Sequence, residues 1–178
     1  ERVGNIVQRE EQVQDAQLGR NDVDVIVGTA KFKDPHELLI TSSQGERTAS
    51  AKNIMIAVGT RPATPPDTQL DGERIITSDE IFNLDELPHS MVVIGCGVVG
   101  IEYASMFALL GVEVTVVDGR GTPLEFLDRE IVDELVHQMR AINVVFRLGE
   151  TVERVETRDA ARGRVVVSLE SGKRQIGR

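Results

Sequence analysis

The chain has 178 residues, 40% of them hydrophobic, and a formal net charge of -9 from 20 basic and 29 acidic side chains. That length and apolar content suffice for one domain with a sizeable core, or one domain and part of another. The acidic balance leaves no basic face dense enough to follow a phosphate backbone, which argues against nucleic acid, and no apolar run nears the ~20 residues that a membrane span requires. A single cysteine, Cys96, provides neither an internal disulfide nor a dithiol redox pair, and a cytoplasmic setting fits. The chain starts at Glu1 with no initiator Met and no secretory leader, and it reads as cut from something longer.

Residues 1–20 are polar, with Val3, Ile6, Val7, Val13 and Leu18 at a spacing that predicts a helix with one buried stripe. Residues 22–28 alternate and end in Gly28, which predicts a strand. Residues 38–40, a turn at Gly45 and residues 48–58 predict a β-meander that closes on an apolar strand over 54–58. Gly59, Pro62 and the Pro65-Pro66 pair then break the pattern. A loop-rich linker is expected over 63–88, carrying a short helix at 78–84 capped by Ser78 or Asp79. Residues 1–62 therefore form a first, mostly β segment, and residues 89–178 a second domain.

After Pro88 the periodicity changes. A buried strand at 91–94, a glycine loop, a helix to about Leu110 and a second strand at 112–117 make a β-α-β unit of roughly 30 residues, ending in Asp118. Next come a helix over 128–142, with Ile131, Val132, Leu135, Val136 and Met139 on one face, and a strand at 144–148. Strands at 152–156 and 164–169 flank an exposed turn at 158–163.

The loop holds Gly95, Cys96, Gly97, Val98, Val99 and Gly100, a G-x-G-x-x-G string. Alone that string is a weak signal, but here a strand precedes it, a helix starts at it, and an acid ends the next strand. Gly95 permits the tight turn, Gly97 lets the backbone approach a pyrophosphate, and Gly100 allows helix and strand to pack closely. Free amides around Val98 and Val99 would meet the pyrophosphate at the positive end of the helix. Asp118, eighteen positions after Gly100, suits the adenine-side ribose hydroxyls and so NAD(H). Arg120, two residues later, suits the 2′-phosphate of NADP(H), and the two signals leave the nucleotide open. Glu102 is expected in the first helical turn, either as a functional group or simply where the dipole favours a carboxylate. Cys96 reads as a small filler within the loop. The fold class is thus α/β, a Rossmann-like three-layer domain of parallel sheet and β-meander, joined to a partial, mostly β segment.

These residues, together with 28–32, the run 48–62 with Gly59-Thr60-Arg61-Pro62, and Ser78-Asp79 leading into the glycine loop, resemble the pyridine nucleotide-disulfide oxidoreductase family. The resemblance spans nearly the whole chain. It implies FAD and NAD(P) as cofactors and a homodimer or higher homo-oligomer for the whole protein. It also implies that Ala30 lies beside the FAD adenine, and that Ala57, Val58, Gly59 and Thr60 border the FAD. Val152 matches a position whose backbone lies near the nucleotide's adenine, and it reads equally as a core strand valine. Residues 126–131 are similar to members that pass a hydride between NADPH and NAD+ through FAD without the family's disulfide; the alternatives are a lipoamide dehydrogenase-like member and a non-catalytic nucleotide-binding module. The N-terminal flavin motif, the C-x-x-x-x-C pair and the dimerisation domain are not in these residues, so the chain by itself is expected to bind a nucleotide without turning over, and no catalytic or metal-ligating residue is assigned. After Lys173 the resemblance calls for an acid, an apolar strand and A-x-G-R; residues 174–178 depart from this, which puts the last strand in doubt.

Overall fold

The computed structural model describes residues 2–64, 68–158 and 163–177, apart from the side chain of Val3. Two compact units divide between Gly59 and Thr60.

The first unit opens with α1 (Arg2–Arg20). The expected helix is present, but its stripe is not buried: Ile6, Val7, Val13 and Leu18 are all exposed. It ends where Asp22 adopts a positive φ of 54°, with Val23 N–H on the Leu18 carbonyl and Asp22 N–H on the Gly19 carbonyl, the paired bonds of a Schellman stop. The β-meander follows as β1 (Thr29–Asp34), β2 (Glu37–Ser42) and β3 (Gly45–Ser50), antiparallel in that order. Two expected strands are absent. Residues 22–28 lie outside any ladder, and so do 54–58, where Met55 and Val58 are 90% and 87% exposed. Alternation and β-branching create a preference for extended backbone, but a strand exists only where a neighbour takes its N–H and C=O groups. Residues 22–28 and 54–58 have no such neighbour among the described residues. The meander instead uses residues 29–34 as its first strand, a segment too polar to stand out.

In the second unit the segment before the β-α-β motif is held by side chains. Asp71 Oδ1 accepts from the amides of Glu73, Arg74 and Ile75 at 2.7–3.0 Å, while Thr157 Oγ1 donates to Oδ2. Burial raises the Asp71 pKa, but these bonds outweigh it and leave the carboxyl below its ordinary value. A single 3-10 turn at Ile81–Asn83 replaces the expected helix. Neither Ser78 nor Asp79 caps it. Glu80 Oε2 instead accepts from both the amide and the hydroxyl of Thr77, and no side chain caps the turn itself.

Then come β4 (Ser90–Ile94), α2 (Val98–Leu109), β5 (Glu113–Asp118), α3 (Arg129–Ala141) and β6 (Val145–Leu148). β4, β5 and β6 form a parallel sheet with β5 central. Both helices end in Schellman motifs, at Gly111 (φ 91°) and at Asn143 (φ 67°). Asp128 caps α3 by accepting the Glu130 amide. β7 (Val152–Arg158), β8 (Arg164–Leu169) and β9 (Arg174–Gly177) build an antiparallel sheet in chain order. Of the turn expected at 158–163, residues 159–162 lie outside the described residues. The doubtful C-terminal segment is a strand after all: β9 pairs with β8, and Gly177 comes close to the backbone of Ser90 and Val92 in β4.

The side-chain alternation of β5 makes three layers. Val114 and Val116 face α2 and α3, packing with Ile101, Ala104, Phe107, Val132 and Met139. Val117 faces the other way, against Val155, Val167 and Leu169 of the antiparallel sheet. Both faces of β5 are covered at its C-terminal end, where the consecutive Val116 and Val117 are buried, while Glu113 at its start is exposed. Met139, 2% exposed, ties α3 to this core. Met139→Ala is expected to lower stability by about 2–5 kcal/mol through lost contact and an unfilled cavity, read from chemical denaturation.

Candidate functional site

The glycine loop lies at the carboxyl ends of the parallel strands, where open α/β sheets present their ligand crevices. Gly95, at φ 112°, turns the chain out of β4 while its N–H still donates to the Val117 carbonyl at 2.9 Å. The Cys96 N–H donates to Asp118 Oδ2 at 2.7 Å. The first bond of α2 runs from the Ile101 N–H to the Gly97 carbonyl, so the amides of Gly97, Val98 and Val99 meet no intrahelical carbonyl. Val98 and Val99 are about half exposed at this helix end.

Gly97 and Gly100 are glycines for different reasons. A Cβ on Gly100 would collide with the carbonyl oxygen of Gly95 and lie 3.1 Å from its carbonyl carbon. The fold itself forbids a side chain there. Gly97 has an ordinary φ of -74°, and a Cβ on it would meet nothing within 4 Å. Among the described residues nothing requires a glycine at 97; the space beside it is open.

Asp118 closes β5, and its side chain is only 9% exposed. Oδ1 accepts from the Arg120 amide at 2.8 Å and from Arg120 Nε at 3.0 Å. Oδ2 accepts from Arg120 Nη2 and from the Cys96 amide, each at 2.7 Å. The Arg120 side chain holds the carboxyl far below the usual carboxylate range, against the opposing effect of burial. In return the carboxylate pushes the Arg120 guanidinium further up. Burial, and then Asp118, push the Cys96 thiol up to about 11. A fully buried thiol that stays protonated at neutral pH is a packing group, not a nucleophile.

The other expected site residues fall into three groups. Glu102 belongs to α2, but the helix starts at Val98 and its first turn holds no acid; Glu102 sits in the second turn, on the surface, where the dipole argument weakens. Val152 opens β7 opposite Leu169 and packs on the Val117 cluster. The loop before it reaches the site: the Gly149 and Glu150 amides donate to the Arg120 and Asp118 carbonyls at 2.9 and 3.1 Å. Ala30, in β1 opposite Ile40, is exposed, as are Ala57 and Gly59 (φ 72°) in the first unit and Thr60 in the second.

Sequence reasoning missed the Gly149-Glu150 loop. Its signal was a glycine directly after a strand, with φ 70°, at the same sheet edge as the glycine motif. A cavity of about 370 Å³ is lined by Gly121, Thr122, Pro123 and residues of α3, among them Arg129 and Arg140. None of the glycine-loop residues lines it. Among the described residues no group of three or more His, Cys, Asp or Glu side chains is placed to hold a metal, and no helix is long and apolar enough to cross a membrane.

Gly100→Ala is expected to destabilise the second unit by about 3 kcal/mol, because the clash is with backbone and cannot be relieved by a rotamer change; thermal denaturation would show it. Asp118 also sets a pH dependence. Its folded pKa lies below the ordinary value of 3.8, so the unfolded chain binds the proton more readily. The stabilisation is complete above about pH 5 and is lost as the pH falls toward the depressed folded value. Asp118→Asn should flatten that acid decline while lowering stability near neutrality by about 1–2 kcal/mol, as read from urea midpoints at several pH values.

Residues 2–176 match the family described as pyridine nucleotide-disulphide oxidoreductase. Over 174 residues the chain is 45% identical to a soluble pyridine nucleotide transhydrogenase of Mycobacterium bovis, covering 97% of this chain and 36% of that relative. A protein of the same name from Colwellia psychrerythraea is 40% identical over 170 residues, covering 95% and 36%. The crystal structure of LpdA from Mycobacterium tuberculosis matches with a TM-score of 0.85 and 29% identity, over 99% of this chain and 39% of that one. The HOCl-induced flavoprotein disulfide reductase RclA from Escherichia coli matches with a TM-score of 0.72 and 28% identity, over 96% and 40%. The chain spans little more than a third of the length of these curated relatives. With a matching family across almost every residue and the glycine loop built as that family's motif demands, the chain belongs to the pyridine nucleotide-disulphide oxidoreductase family.

Proposed function

We propose that the chain supplies the nicotinamide-nucleotide site of a flavin-dependent oxidoreductase that moves a hydride between NADPH and NAD+ through FAD. The observation that carries this reading is Gly97. It is a glycine that the fold does not need, next to open space and to amides with no intrahelical carbonyl, which is how a backbone cradle for a pyrophosphate is made. The names of the relatives and the segment 126–131 support the choice of reaction. FAD, when bound in the whole protein, supplies the two-electron relay between the nucleotides.

In this reading the chain's residues bind and orient. Gly95 through Gly100 hold the pyrophosphate by main-chain N–H groups, and Asp118 takes the adenine-side ribose hydroxyls. Arg120 takes the 2′-phosphate of NADP(H). Val152 borders the adenine, Glu102 lies on the helix behind the loop, and Cys96 packs beneath it. Ala30, Ala57, Gly59 and Thr60 border the FAD. Residues 1–62 are then a segment of the FAD domain, 63–88 the connection, and 89–178 the nucleotide domain, in a protein that acts in the cytoplasm as a homodimer or higher homo-oligomer.

Gly97→Ala separates binding from folding. It should cost under about 1 kcal/mol of stability, the loss of a glycine at a helix N-cap, while weakening NADH and NADPH together by about tenfold or more. Asp118→Ala should weaken NADH, with both variants read by fluorescence titration of the two nucleotides. Unchanged affinity for both nucleotides in Gly97→Ala would remove the pyrophosphate from this loop.

A further inference from the structure

A carboxylate offers about four acceptor sites, and in Asp118 four donors take them. One is the Cys96 amide; the other three are the amide, Nε and Nη2 of Arg120. A ribose hydroxyl can donate to Asp118 only if one of these leaves. The two amides are fixed by the Gly95 turn and by the loop that receives the Gly149 amide on the Arg120 carbonyl. The Arg120 side chain, 46% exposed, is the one group free to go. A guanidinium has five N–H donors, and two of them are committed to Asp118. The remaining three can take a phosphate without breaking the pair.

We propose that the Asp118–Arg120 ion pair is a two-position selector of the nucleotide, a step that rests on the nucleotide reading above. Closed, as in this structure, it presents Arg120 to the 2′-phosphate of NADP(H) and screens that phosphate from the Asp118 carboxylate. Open, it frees Asp118 for the 2′-hydroxyl of NAD(H), and the guanidinium goes to water. The arginine therefore competes with NAD(H) for the carboxylate while serving NADP(H). The two nucleotides are read by two states of one pair, not by two independent residues.

The test is calorimetric titration of the full chain with NADH and with NADPH, for the native sequence, Arg120→Ala and Arg120→Lys. Removing the competitor should tighten NADH by about two- to fivefold, the range that opening a half-exposed ion pair represents, while NADPH weakens about tenfold or more. Arg120→Lys keeps the charge but not the fork, and should fall between these limits for both nucleotides. Raising the salt concentration should narrow the preference for NADPH, since it weakens both the closed pair and the phosphate contact. If the native chain binds both nucleotides and Arg120→Ala weakens NADH or leaves it unchanged, the competition does not exist and the selector is overturned, with the site intact. If the native chain binds neither nucleotide saturably, the site reading itself falls and the selector with it.

Discussion

The carboxylate of Asp118 is tied on every side, and the functional edge of the second unit is organised around it. Through Oδ2 it holds the Cys96 amide, which fixes the path of the glycine loop at the point where β4 gives way to α2. Through both oxygens it holds Arg120, and its own carbonyl receives the amide of Glu150 from the loop between β6 and β7. Three chain segments distant in sequence are thus joined at one residue. Placing an ionised group there is possible because charged and polar donors replace the water it loses.

The same strand that ends in Asp118 also sets the layering. β5 is central in its sheet, with one face given to α2 and α3 and the other to β7–β9. Gly100 lets α2 sit directly on the Gly95 turn, which brings the open end of the helix to the sheet edge. Packing and site therefore share a cause. The close contact that buries Cys96, Ile101 and Ala104 is also what aims the first amides of α2 toward the crevice.

Legibility in the sequence was uneven for identifiable reasons. Periodic segments in the second unit were read nearly to the residue, because β4, α2, β5 and α3 each carry a local pattern with a matching stop signal, at Gly95, Gly111, Asp118 and Asn143 respectively. The failures were segments whose pattern needs a partner. Residues 22–28 and 54–58 have the composition of strands without a ladder to join, while the polar residues of β1 became a strand because β2 was there to pair with. The helix expected at 78–84 shrank to one turn, since no side chain caps its start and none of its residues is buried to sustain it.

What the sequence determined by itself was the β-α-β unit, its glycine loop and the identity of the acid that follows, because these depend on backbone freedom and on short-range spacing. Tertiary structure alone decided how the site's charges are spent. That the acid binds the loop amide, and that Gly149 and Glu150 brace the same edge, are consequences of strand order and loop approach; Arg120, two residues on, fills the remaining acceptor sites locally. No local pattern records the long-range bonds, since hydrogen bonds between residues 22, 29 or 32 positions apart appear only once the sheet has brought the strand ends together.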